Sequence, residues 1–76
     1  MNAIIEITKA ARAMGCNVQM QVAQGADGLW TARLVDEDDG FTVTSREDWE
    51  LPLEVAGHVT RESAVGALEV FCANYG

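Results

Sequence analysis

The spacing of apolar residues predicts a helix at the start of the chain. Within residues 2–14 the apolar positions recur at three- and four-residue intervals, as on one face of an α-helix, at Ile4, Ile7, Ala11 and Met14. Asn2 is a suitable N-cap, and Gly15 stands where helices commonly end in a left-handed residue, so Met14 is expected to be the last helical position.

From residue 17 the apolar period changes to two, which predicts three antiparallel strands separated by turns at 25–28 and 36–40. The alternating apolar positions are Val18, Met20 and Val22, then Trp30, Ala32 and Leu34, then Phe41 and Val43. One register places all of them on a single face of the sheet. The opposite face is then polar and is free to meet water or a partner; it shows Gln19, Gln21, Thr31, Arg33, Thr42 and Thr44.

The last third of the chain predicts an edge strand and a second helix. Alternation continues through residues 51–56, but Pro52 cannot donate a ladder hydrogen bond, which confines this segment to a sheet edge or an extended loop. We expect a short edge strand there. Residues 56–58 are expected to turn the chain into a helix capped by Thr60. The apolar stripe of that helix is Ala64, Leu68, Phe71, Cys72 and Tyr75.

These elements predict one α+β domain spanning residues 1–76. Its architecture is a two-layer sandwich, in which an antiparallel sheet of three or four strands carries the N- and C-terminal helices on one face, in the order α-β-β-β-(β)-α. A chain of 76 residues buries only a small core, so a dimer or a bound partner would add to its stability.

The charge of the protein is concentrated in residues 36–54. This stretch carries one base, Arg46, and eight carboxylates: Asp36, Glu37, Asp38, Asp39, Glu47, Asp48, Glu50 and Glu54. Its net charge of −7 equals that of the whole protein, because the charges elsewhere cancel. Phosphate backbones and anionic lipid surfaces are attracted by clustered Lys and Arg, so direct binding to nucleic acid or to a membrane is not expected.

Part of this acidic stretch is the predicted contact surface for a protein partner. Trp49 is a large aromatic flanked by carboxylates, a combination typical of a binding hot spot beside a steering patch, although a Trp can also close one end of a core. The residues predicted to contact the partner are Asp36, Asp38, Asp39, Glu47, Asp48, Trp49 and Glu50. The turn at 36–39 and the segment from Glu47 are expected to lie roughly 13 Å apart, at opposite ends of the third strand, as a two-point contact.

No catalytic constellation or metal site is predicted. With Gly40 at the sixth position of a calcium loop, Val35 and Arg46 fall at the first and twelfth positions, where carboxylates are needed. His58 is the only histidine and is expected to be a capping or surface residue. Cys16 and Cys72 lack the Cys-x-x-Cys spacing and are expected to be structural thiols, with a disulfide between them left open.

The chain is expected to be cytoplasmic. It contains no apolar run long enough to span a bilayer, and its N-terminal stretch places Glu6, Lys9 and Arg12 inside the apolar pattern, unlike a signal peptide.

Two family resemblances follow from this order of elements. The helix, three strands and helix resemble the double-stranded-RNA-binding fold, but the start of the last helix reads Thr60-Arg61-Glu62-Ser63 instead of being basic. The chain from Val18 to Phe71 also resembles the HicB-like antitoxins, through residues 28–34 (GLWTARL) and residues 57–64 (GHVTRESA). The second resemblance implies a domain that binds and masks a basic RNA-cleaving partner.

Three functional hypotheses follow. The first is a small acidic inhibitor, of the phage anti-defence or anti-CRISPR kind, that mimics nucleic acid and masks the basic nucleic-acid-binding surface of a partner protein. The second is a HicB-like antitoxin module that neutralises a cognate ribonuclease toxin. The third is a small homodimeric structural protein whose acidity only maintains solubility. None of the three requires a cofactor or an enzymatic activity.

Overall fold

The described residues form an antiparallel four-stranded sheet covered on one face by two helices, which confirms the predicted α+β sandwich. The computed structural model describes residues 2–45 and 51–75. Its elements, in chain order, are α1 (Ala3–Ala13), β1 (Val18–Gln24), β2 (Trp30–Asp36), β3 (Phe41–Thr42), β4 (Glu54–His58) and α2 (Arg61–Tyr75).

The predicted caps define the ends of both helices. Asn2 Oδ1 accepts a hydrogen bond from the Ile5 N–H at 3.1 Å. Gly15 has φ +83° after α1, but the last helical residue is Ala13, and Met14, which was predicted to be the last, is the C-cap. Thr60 Oγ1 accepts a hydrogen bond from the Ser63 N–H at 3.1 Å, which makes Thr60 the N-cap of α2. The side chains of Asn2 and Thr60 each satisfy an N–H group that the helix itself leaves without a partner.

Glu69 joins the two helices. Its carboxylate, on α2, accepts hydrogen bonds from the Ala3 N–H at 2.6 Å and from the Ile4 N–H at 3.3 Å, both in the first turn of α1. A negative charge at this end of a helix is also stabilised by the helix dipole. The start of α1 is therefore fixed against α2 by a contact between residues 66 positions apart.

The hairpin of β1 and β2 has the predicted register. Its pairs run from Val18 opposite Asp36 to Gln24 opposite Trp30, so the alternating apolar residues of both strands share one face. That face packs against the helices, and the core consists of Ile4, Val18, Ala32, Leu34, Leu53, Ala64, Leu68 and Cys72. The apolar stripe predicted for α2 supplies three of these residues.

The other edge of β2 is shared by β3 and β4. At the branch, the Val43 N–H donates to the Leu34 carbonyl, the Leu34 N–H donates to the Leu53 carbonyl, and the Leu53 N–H donates to the Val43 carbonyl. Beyond this ring of hydrogen bonds, β3 pairs with the C-terminal end of β2 and β4 pairs with its N-terminal half. Strand β3 is shorter than predicted because the chain leaves β2 at Val43.

Strand β4 begins and ends later than predicted. Residues 56–58, which the sequence suggested were a turn, lie in the strand, where the pairs Trp30–His58 and Ala32–Val55 leave one extra residue on β4. This bulge includes Gly57 at φ +78°. Glycine therefore marks a bulge within the strand here and not the end of it, because it adopts the left-handed conformation at little cost.

The face of the sheet away from the helices carries the predicted polar residues, together with Val35, which is 5% exposed. Arg33 Nη2 donates a hydrogen bond to Gln21 Oε1 at 3.3 Å, and Arg33 Nη1 lies 3.9 Å from Glu54 Oε1. These three side chains cross from β1 through β2 to β4. Arg33 is therefore close to a carboxylate of its own sheet.

Candidate protein-binding surface

The turn between β2 and β3 is an acidic loop held by its own first residue. Asp36 is 7% exposed, and its Oδ1 accepts hydrogen bonds from the Asp38 N–H at 3.0 Å and the Asp39 N–H at 3.4 Å. The Gly40 N–H donates to the Asp36 carbonyl at 2.7 Å, and Gly40 has φ +76°. This is the arrangement in which an Asp side chain replaces a backbone acceptor in a turn.

The acidic turn, which we define as residues 36–40, presents three exposed carboxylates on this frame: Glu37, Asp38 and Asp39. The Glu37 N–H donates to the Asn17 carbonyl at 2.9 Å, so the turn is also tied to the start of β1. Asp36 was grouped with the partner-binding candidates, but its carboxylate is buried and bonded to the backbone. The exposed charges of the turn are therefore those of Glu37, Asp38 and Asp39, of which Glu37 was not among the predicted contacts.

The second group of candidates lies outside the described residues. Glu47, Asp48, Trp49 and Glu50 belong to residues 46–50, which join Ser45 to Leu51. The two flanks of this segment are paired, because the Ser45 N–H donates to the Leu51 carbonyl at 2.8 Å and Thr44 forms a bridge with Pro52. The predicted role of these four residues in partner binding stays a prediction.

The flank at Ser45 is fixed to the C-terminal end of α2. Ser45 is buried, and its hydroxyl donates a hydrogen bond to the Tyr75 carbonyl. At the same end of the helix, the ring centroids of Tyr75 and Phe71 lie 5.0 Å apart. Residues 46–50 therefore start from a flank that is anchored to the core layer.

An apolar groove of about 750 Å³ opens beside β3. It lies where neither helix covers the sheet, and Phe41 on its rim is 52% exposed although the register predicted a core-facing position. The described residues that line this groove are Ala3, Glu6, Ile7, Ala10, Ala11, Met14, Cys16, Val18, Asp36, Phe41, Val43, Thr44, Leu53, Cys72 and Ala73. This set contains two carboxylates and no Lys or Arg.

Both thiols border the groove and both are free. Cys16 is half-buried and Cys72 is buried. Burial, with a smaller contribution from the charge of Glu69, raises the pKa of the Cys72 thiol from 9.0 to about 11. Cys72 is therefore a neutral core residue at physiological pH, which does not suit it to act as a nucleophile.

His58 contacts the first turn of α2, as expected of a capping histidine. Its Nδ1 lies 3.1 Å from Ser63 Oγ, so the pair links the end of β4 to the helix. Within residues 2–45 and 51–75, no three His, Cys, Asp or Glu side chains form a group that could hold a metal ion.

Comparison with known proteins identifies no relative of the chain. No protein-family model, no curated protein and no solved structure matches the chain. The resemblance to HicB-like antitoxins therefore stays a prediction. Neither of the helices in the described part of the chain is long and apolar enough to cross a membrane.

Proposed function

We propose that the protein is a small acidic inhibitor that binds a nucleic-acid-handling protein and masks its basic surface. The observation that carries this proposal is the acidic turn, in which three exposed carboxylates project from a frame fixed by Asp36 and Gly40. A rigid anionic turn loses little conformational freedom on binding, and its field accelerates encounter with a basic partner.

The surrounding charges favour the same partner. The net charge of −7 resides in residues 36–54, and Arg33 on the adjoining sheet face lies 3.9 Å from a carboxylate oxygen of Glu54. A basic groove that normally accepts phosphates offers the complementary charge. In this proposal Glu37, Asp38 and Asp39 form the first point of contact, and Glu47, Asp48, Trp49 and Glu50 form the second.

Three variants that share one net charge test the proposal, because they differ only in where the charge is changed. The turn variant carries Asp38→Lys and Asp39→Lys, and the segment variant carries Asp48→Lys and Glu50→Lys. The control variant carries Ala13→Lys, Ala23→Lys and Glu62→Lys at exposed positions away from the acidic stretch. Each of the three has a net charge of −3 instead of −7.

The wild type and each variant are immobilised and used to capture proteins from a nuclease-treated bacterial lysate. The captured proteins are eluted with a polynucleotide and identified by mass spectrometry. We expect the wild type and the control to retain a nucleic-acid-binding protein that the polynucleotide elutes, and the turn variant to lose it. Equal capture by all variants, or a captured protein that polynucleotide does not elute, contradicts the proposal. Capture of a small ribonuclease would favour the antitoxin hypothesis over other inhibitors.

A further inference from the structure

We infer that the apolar groove beside β3 binds one face of a basic amphipathic helix of the partner protein. This inference rests on the proposed function and deepens it, because it adds an apolar contact to the electrostatic one. The groove is the part of the helix-facing side of the sheet that α1 and α2 leave open.

The length of the groove fits a short helix. One stripe of residues at helical spacing lines it from Ala3 in α1 to Met14, the C-cap, and includes Ile7 and Ala10. At 1.5 Å per residue this stripe extends for about 16 Å, which matches three turns of a docked helix. A helix in a groove is held by apolar anchors at such spacing.

The floor of the groove is suited to apolar anchors. Ile7, Ala11 and Val43 are half-buried against the core, Leu53 is buried, and small Ala side chains at positions 3, 10, 11 and 73 leave room for larger residues. Phe41 and Met14 are exposed at the rim, at 52% and 81%. Burying such exposed apolar surface stabilises a complex by roughly 25 cal/mol per Å² before the costs of association.

The charges of the described residues around the groove favour a basic occupant. Glu6 lines one side, and the acidic turn follows directly from Asp36 on the other, whereas Lys9 and Arg12 of α1 are not among the lining residues. Lys or Arg residues flanking the apolar face of a bound helix would meet these carboxylates. A second copy of this chain brings a further net charge of −7 to the same rim and is the less suitable occupant.

Titration with a model peptide tests this inference directly. The probe is an 18-residue Leu/Lys peptide whose leucines follow helical spacing, and its two controls replace all Lys by Glu or all Leu by Ala. Binding is followed by amide chemical shifts of the ¹⁵N-labelled protein and by calorimetry. The matched protein variants are Ala10→Lys, in the groove, and Ala13→Lys, an exposed α1 position outside it.

We expect the peptide to change the amide chemical shifts of the groove residues in α1 and β3. Ala10→Lys should bind the peptide at least tenfold more weakly than the wild type, and Ala13→Lys should bind it within twofold of the wild type. Phe41→Ser, at the exposed rim, should weaken binding as well. Both control peptides should bind at least tenfold more weakly than the probe. Circular dichroism spectra of the variants verify that they are folded.

Equal weakening by Ala10→Lys and Ala13→Lys, or equal binding of the peptide without leucines, would show a purely electrostatic contact and overturn the inference. A change in oligomeric state on Ala10→Lys would instead identify the groove as a homodimer interface and also overturn it. The proposed function is judged separately: if the turn variant loses its captured partner while Ala10→Lys retains it, the groove inference fails and the inhibitor proposal stands.

Discussion

Replacement of Asp36 tests whether the acidic turn is held by its own side chain. Asp36→Ala removes the acceptor of the Asp38 and Asp39 N–H groups, whereas Asp36→Asn retains an oxygen in the same place and removes only the charge. The two variants therefore separate the hydrogen bonds from the electrostatics.

The magnitude follows from the geometry. The bond at 3.0 Å to a charged acceptor contributes about 1.5 kcal/mol and the longer one at 3.4 Å about 0.5 kcal/mol. Removing the negative charge of residue 36 also relieves its repulsion by three neighbouring carboxylates, which raises the free energy of unfolding by roughly 0.5 kcal/mol at physiological salt. We expect Asp36→Ala to lower the free energy of unfolding by about 1.5 kcal/mol and Asp36→Asn to lower it by about 0.5 kcal/mol.

Urea denaturation followed by circular dichroism measures both values, and the larger one corresponds to a Tm decrease of about 6 to 12 °C for a chain of this size. Asp38→Ala is the matched control, because its exposed carboxylate should contribute less than about 0.5 kcal/mol. If Asp36→Ala unfolds at the same urea concentration as Asp38→Ala, the buried carboxylate does not hold the turn and the reasoning is refuted.

Three further predictions concern stability. Glu69→Ala should lower the free energy of unfolding by about 2 kcal/mol and Glu69→Gln by about half as much, since only alanine leaves two N–H groups of α1 without their acceptor. Urea titration measures both values, and equal losses would contradict the hydrogen-bond assignment. Between pH 9 and 11 the Cys72 thiol stays neutral in the folded protein but ionises in the unfolded chain. The free energy of unfolding of the wild type should therefore fall over this range by about 2 kcal/mol more than that of Cys72→Ala. If the free energies of unfolding of the two proteins change in parallel with pH, this prediction is refuted. Gly57→Ala should destabilise the protein by about 1 kcal/mol, because residue 57 has a positive φ. Gly66→Ala, at an exposed position of α2, should stabilise it by about 0.5 kcal/mol. Thermal melts in which both substitutions shift Tm in the same direction would contradict the account.

The helices and the β1–β2 hairpin could be predicted from the sequence because their signals are local. Asn2, Thr60 and Gly15 lie within one helical turn of the ends that they determine. The hairpin register follows from alternation on both sides of a glycine-bounded turn at 25–28. In each case the deciding interactions join residues that are near one another in the chain.

The branch of the sheet could not be predicted, because it depends on contacts between distant residues. In the sequence, Leu34, Val43 and Leu53 each have the signal of an ordinary strand position. The branch is formed by the hydrogen bonds among them, together with the pairing of β4 along β2. The contact from Glu69 to the start of α1 is equally invisible in the sequence, where Glu69 reads as an exposed helical charge. The groove follows from the branch, since β3 is placed beyond the cover of both helices.

The candidate site was predicted in part. The sequence located the acidic turn but did not show that its carboxylates differ in role. The Asp36 carboxylate is buried and holds the turn by hydrogen bonds, whereas those of Glu37, Asp38 and Asp39 are exposed. An Asp followed by a turn and a Gly at the fifth position was the available signal. The apolar groove beside the turn had no signal, because its residues are spread over five elements and the segments between them.

Displacement of nucleic acid from the captured partner tests the central claim most directly. A fluorescently labelled oligonucleotide bound to that partner is titrated with the wild-type protein, the turn variant and the charge-matched control, and fluorescence anisotropy reports its release. We predict release by the wild type, release by the control within twofold of the same concentration, and at least a tenfold higher concentration for the turn variant. Failure of the wild-type protein to release the oligonucleotide, or equal release by all three proteins, would contradict the account.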